Sequence, residues 1–252
     1  MKLGKKAPRI DHRTFKLSKY ISRVILPTPA EEVSWVTHVQ NWPMYLNDQL
    51  GDCVIAGAAH SVEQWEVYAN PTGLPPGVAR PSDRQVLQAY EDVGGYDPND
   101  PSSDNGCVML DALNYWRKTG IGGHKIKAFM SIDPEDLVEV ATAIWLFGNI
   151  FIGLQLPLSA QEQGAWTVAD GGIYGEQGRP GSWGGHAVMC PAMSPLTITC
   201  ITWGGVLKMS HNFFRDYCDE AYVMLSQDWF EKTGKSVSGF DMATLTADLA
   251  LL

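Results

Sequence analysis

Residues 50–60 read LGDCVIAGAAH: an acid, a thiol, then small apolar residues ending in histidine. Asp52 stands where a helix N-cap belongs, and Val54, Ala58, Val62, Trp65 and Ala69 recur at helical spacing before Asn70-Pro71. The spacing therefore predicts a helix over 53–69. That helix carries Cys53 in its first turn, where the partial positive charge of the helix end favours thiolate and makes a nucleophile. The competing reading is a small hydrophobe in a core, the commoner fate of cysteine.

The chain has 252 residues, 45% apolar and 19% charged, an ordinary globular mix. Five cysteines (53, 107, 190, 200, 218) show no CxxC and no paired histidines at zinc spacing. A disulfide framework or zinc site is not expected, and a reducing, cytoplasmic setting is the default. The most apolar run, Ala143 to Leu156, is broken by Gly148, Asn149, Gly153 and Gln155, so no membrane span is expected. The basic start MKLGKKAPRIDHR has no apolar stretch behind it and is not a secretory signal.

Charge is uneven. Residues 1–25 hold eight basic side chains against Asp11 alone, while the whole chain carries −9. This stretch reads as an extended basic arm, placed at residues 1–40, ahead of a single domain over 41–252. It is either a strap on its own acidic body or a grip for a partner protein. The acidic body, without basic-aromatic interleaving, speaks against nucleic acid.

Along the chain, residues 26–46 suggest an irregular segment with one strand. After the 53–69 helix, 71–81 is a loop, and Ser82-Asp83-Arg84-Gln85 caps a helix to about Asp92. A polar loop leads to a third helix over Met109–Thr119. Then come a strand over Lys125–Ile132, a helix from Pro134 to about Leu146, and a buried strand over Asn149–Leu156. A Gly- and Trp-rich loop spans 159–185, followed by β-like runs at 186–190, 196–203 and 220–226. Helices gather early and strands late, the α+β signature.

QLGDC at 49–53, GGHAV at 184–188 and ITWGG at 201–205 together resemble a papain-like cysteine peptidase. His186 follows Cys53 by 133 residues, a separation suited to that family's thiol and base. Sixteen residues later, Thr202-Trp203-Gly204 resembles the family's Asn-Ser-Trp-Gly segment. DNGCVMLDALNYWRKTGI (104–121) and DEAYVML (219–225) add weaker matches in the same order. The resemblance implies a papain-like fold, with a helical N-terminal half, an antiparallel β-rich C-terminal half and a site in the cleft between them. It implies Cys53 as nucleophile, His186 as base, and Thr202 where the family has asparagine. The family's oxyanion glutamine, six residues before the cysteine, is replaced by Asn47, with Gln49 four before. Val54 replaces the aromatic residue common after the cysteine. No metal and no cofactor is implied.

The implied activity is hydrolysis of a peptide or other amide bond. The alternative is a weak or inactive papain-fold interaction protein, such as a bacteriophage particle component, that docks through residues 1–25; its location would then be the virion. The short segment before Cys53 argues against a large inhibitory propeptide. Three tryptophans, Trp166, Trp183 and Trp203, either line a cleft or shield His186. His60, two turns from Cys53, is assigned to packing, and Asp170 to a turn.

Overall fold

The computed structural model describes residues 1–19, 30–73 and 80–229. The end of the basic stretch, the start of the 26–46 segment and most of the 71–81 loop lie outside them.

Strand β1 (Val33–Ser34) precedes three helices, α1 (Cys53–Ala69), α2 (Asp83–Gly94) and α3 (Met109–Lys118). Next come β2 (Ile126–Ser131), α4 (Leu137–Phe147), β3 (Ile150–Leu156), β4 (Gly184–Met193), β5 (Thr197–Thr202), β6 (Gly205–Ser210), α5 (His211–Tyr217) and β7 (Cys218–Ser226). The seven strands form one sheet in the order β2-β7-β3-β4-β5-β6, with β1 paired to β4, and every pairing is antiparallel. This α+β architecture matches the expected class. No described helix is long and apolar enough to cross a membrane.

The sheet is covered on both faces. Phe151, Ala187, Met189 and Ile201 join the core built with α1, α2 and α3, while their neighbours Ile150, Ile152, Val188 and Cys200 join the core with α4 and α5. Period-two alternation sends successive side chains to opposite faces. A strand buried on both faces is apolar throughout, which is why IFIGLQL reads as a continuous run.

Helix α1 is buried almost end to end. Its polar side chains are spent on docking: Gln64 Nε2 donates to Gly148 O (2.7 Å), Asn149 Nδ2 to Gln64 Oε1 (2.7 Å), and Ser61 Oγ to Asn149 Oδ1 (3.1 Å). Trp65 Nε1 donates to Phe147 O (2.9 Å). These bonds fix the helix to the turn between α4 and β3, and so set where its first residue points.

Two elements had no counterpart in the sequence reading, β6 and α5. The Trp203-Gly204 turn, with φ of +47° and +70°, joins β5 to β6 as a two-residue hairpin, the conformation whose twist suits paired strands. Strand β6 is only partly buried, so its apolar pattern is weak. Ser210 Oγ accepts from Phe213 N (3.1 Å) and starts the short α5.

Candidate active site

Cys53 is the first residue of α1 and is buried. Asp52 precedes it at the cap position, but its φ and ψ (−95°, 13°) are not the extended values that let a carboxylate reach back to the helix amides. It makes no side-chain cap bond, and its buried carboxylate is met by no cation, although the Asn47 side chain lies close enough to lower its pKa. Burial pushes its pKa up to about 8. Burial also pushes the Cys53 thiol up to about 12, with the Asp52 charge adding to the rise. Opposing this, the backbones of Ala187 and Gly4 and the charge of Lys5 favour thiolate. Ala187 is the residue after His186, so the sulfur lies against the start of β4.

His186 is buried in the corner between β4 and β5. Met189 pairs with Ile201, and continuing that register sets Thr202 diagonal to His186 on one face. His186 Nε2 lies 2.7 Å from Thr202 Oγ1, and its ring stacks on Trp203 at 4.4 Å between centroids. Trp166 packs edge-on against both rings. Of the three tryptophans in question, Trp166 is fully buried and Trp203 covers the imidazole. Burial pushes the His186 pKa down to about 3, so the ring is neutral. With Nε2–H donating to the hydroxyl, Nδ1 keeps a lone pair, and it has no hydrogen-bond partner.

Between these two corners lies the start of the chain. Lys2 N donates to Asn47 O (3.0 Å), and Lys2 O is approached by Asn47 Nδ2 (3.4 Å) and Trp203 Nε1 (3.3 Å). Cys107 N donates to Gly4 O (2.8 Å) and Lys6 N to Cys107 O (2.8 Å) on the helical side, while Lys5 N donates to Gly185 O (3.0 Å) on the sheet side. Residues 1–6 thus fill the cleft as an extended strand bonded to both walls. The fit excludes side chains: a Cβ on Gly4 would sit 1.7 Å from Gly51 O, one on Gly106 1.8 Å from Gly4 O, and one on Gly185 2.1 Å from Lys5 O. The Gly4 backbone lies close enough to the sulfur to lower the thiol pKa.

Residues 1–6 bond to Asn47, to Cys107, to Gly185 beside His186 and to Trp203 beside Thr202, while the Ala187 backbone lies against the Cys53 sulfur. Gln49 is exposed, and its place beside the cleft is taken by Asn47, which is buried and also donates to Leu50 O (3.1 Å). Tyr45 and Leu46, just before Asn47, both adopt left-handed φ (+53°, +69°), an uncommon conformation for such residues that bends the chain into the cleft wall. His60 packs between Trp42 and Tyr45, with Nε2 2.7 Å from Pro43 O. The sequence marks Asp52 only as a cap residue and Asp219 and Glu220 only as part of the 219–225 run, and it gives Lys5 no role beyond the basic arm. Away from the cleft, Glu66, His124 and Asp228 hold three potential metal-ligating atoms within 4.8 Å of one another, and His124 Nδ1 already pairs with Asp228 (3.1 Å) and Glu66 (3.5 Å).

No family model matches the sequence, and no curated protein matches it. Solved structures do. The chain is similar to xylellain, a cysteine protease from Xylella fastidiosa, with 12% identity and a TM-score of 0.66 over 88% of this chain and 95% of that one. It is similar to procathepsin B S9 from Trypanosoma congolense, with 12% identity and a TM-score of 0.61 over 90% and 87% of the two chains. It is also similar to the digestive procathepsin L 3 of Tenebrio molitor larval midgut, with 14% identity and a TM-score of 0.57 over 82% and 72%. At these identities the likeness concerns the fold, which is papain-like.

Proposed function

We propose that the protein is a thiol-dependent hydrolase of peptide bonds whose cleft is closed in this conformation by its own residues 1–6. The observation that supports the reading best is an extended polypeptide, bonded through its backbone to both walls, that passes a thiol at a helix N-terminus, with the backbone next to a partnered imidazole lying against the sulfur. With the segment withdrawn, water reaches the thiol and the desolvation that holds it neutral falls. His186 Nδ1 takes the thiol proton, and the thiolate attacks the carbonyl carbon of a bound peptide. The developing oxyanion is met by amide N–H groups at the start of α1 and by Asn47 Nδ2. The imidazolium then gives its proton to the departing amine, and water releases the acyl group from sulfur. Thr202 holds the ring, and Trp203 keeps water from that bond.

A second reading keeps the fold without the chemistry. It is favoured by the neutral thiol and neutral imidazole, with pKa near 12 and 3, and by the exposure of Gln49. On that reading the protein is a papain-fold interaction or particle component, with the remainder of its basic arm engaging a partner. One experiment separates the two. Gly4→Ala adds a methyl with no room against Gly51 and expels the segment. The peptidase reading expects this variant to hydrolyse a reactive peptide ester and the added Cys53→Ala to abolish turnover. A folded Gly4→Ala protein whose Cys53 labels but which turns nothing over supports the second reading.

A further inference from the structure

The lysine that follows Gly4 is an unusual occupant of a protein interior. The Lys5 side chain has no exposure to solvent, and its ammonium lies 2.8 Å from Asp219 and 3.1 Å from Glu220. Its stem passes over Gly153, where a Cβ would fall 2.0 Å from Lys5 Cε, so the pocket exists only because that strand position has no side chain. The carboxylates are held by the fold and not by the lysine alone. Gln155 Nε2 donates to Asp219 Oδ2 (2.6 Å), and Tyr222 OH donates to Glu220 Oε2 (3.0 Å). Glu220 is 93% buried, and the Lys5 ammonium is the group that meets its Oε1. Burying such a carboxylate is costly unless a cation meets it.

We propose that this pocket is a recognition site for a lysine or arginine side chain of a bound polypeptide, set one residue from the point where the backbone crosses Cys53. Lys5 occupies it in the closed state, and a substrate with a basic residue occupies it when residues 1–6 withdraw. Gly153 admits the aliphatic stem, while Asp219 and Glu220 pair with the charge. An apolar side chain would leave Glu220 buried without a cation, and an acidic one would add a third negative charge. The inference names the substrate class of the cleft described above, but it depends on peptide binding there and not on turnover.

The test uses full-length protein carrying Lys5→Ala, which empties the pocket, and fluorescein-labelled peptides of the sequence Met-Lys-Leu-Gly-X-Lys-Ala-Pro. Fluorescence anisotropy should show X = lysine binding at least about tenfold tighter than X = norleucine, as expected for charge-assisted pairing away from water. Glutamate at X should bind more weakly still. The preference should fall to within about threefold when Asp219→Asn and Glu220→Gln, which keep the pocket's shape, are added. Equal binding of lysine and norleucine, or a preference that survives both substitutions, overturns the proposal. So does failure of every peptide to bind Lys5→Ala and, in a second background, Gly4→Ala, provided circular dichroism shows both folded. Lysine-selective binding without ester hydrolysis would sustain the pocket while removing the peptidase reading. Hydrolysis without lysine preference would do the reverse.

Discussion

Glu220, on the sheet side of the cleft, and Asp52, at the mouth of α1, are both buried acids beside the path of residues 1–6. Glu220 faces the Lys5 ammonium and accepts a hydrogen bond from Tyr222, whereas Asp52 faces the Asn47 amide and the charges of Asp104 and Asp48 in place of a cation. Burial raises both pKa values, but Lys5 opposes the rise at Glu220. The difference separates two uses of a buried carboxylate. One meets a cation that comes and goes with a polypeptide. The other holds a proton, and when ionised it raises the pKa of the adjacent thiol. Charge complementarity marks where a chain binds; its absence marks where reactivity is restrained.

Lys5→Ala breaks this contrast by leaving Glu220 as lonely as Asp52. Removing one member of a buried ion pair costs about 3–5 kcal/mol, which urea unfolding at pH 8 would register. Losing Lys5 raises the already elevated Glu220 pKa further, so the fold then prefers the protonated acid. The loss should therefore shrink as pH falls, because protonated Glu220 needs no cation. A second substitution, Glu220→Gln, should recover much of the stability.

Asp52→Asn sharpens the contrast from the other side. The folded pKa near 8 lies above the ordinary 3.8, so the native state binds a proton that the unfolded chain releases. This group therefore makes stability fall as pH rises from about 4 to about 8, after which its contribution levels off. The asparagine variant should lack that fall and exceed wild type by about 1–3 kcal/mol at pH 8. Thermal unfolding at pH 5 and pH 8 provides the comparison, and an equal gain at both would exclude a titrating Asp52.

The smallest effect is expected at the imidazole corner, where the polar groups are better matched. Thr202→Ala removes the 2.7 Å contact with His186 and should cost about 1 kcal/mol of stability. Thr202→Asn, which returns the amide that the resembling family has, should raise ester hydrolysis by the opened protein, while Thr202→Ala should lower it. Parallel rates for the two variants would mean that the residue holds no ring.

These differences also explain what could be read from sequence. The 53–69 helix was legible to the residue because its start, apolar spacing and Asn-Pro stop are all local. The position of His186 near the start of a strand, with Thr202-Trp203-Gly204 sixteen residues on, was legible because hairpin-linked strands bring nearby sequence together. The Lys5 pocket was not, since its carboxylates lie more than 200 residues away and one lysine of a basic run looks like another. Asp52 was legible as a cap residue but not as a buried acid without a cation, because the backbone angle that turns its carboxylate from the helix is not written locally. The choice of Asn47 over Gln49 rests on two left-handed residues, Tyr45 and Leu46, that no propensity predicts.

The proposed function requires Cys53 to be a nucleophile activated by His186 and covered by residues 1–6. Its most direct measurement is the rate at which a peptidyl electrophile alkylates Cys53 between pH 5 and pH 9, read by intact mass. Wild type, Gly4→Ala, and Gly4→Ala combined with His186→Ala would be compared. Wild type should label slowly, and Gly4→Ala faster by about a hundredfold at pH 6. The added His186→Ala should return most of that gain, as loss of a positioned base requires. Equal rates in all three proteins, rising only as pH approaches the range of an ordinary thiol, would contradict it.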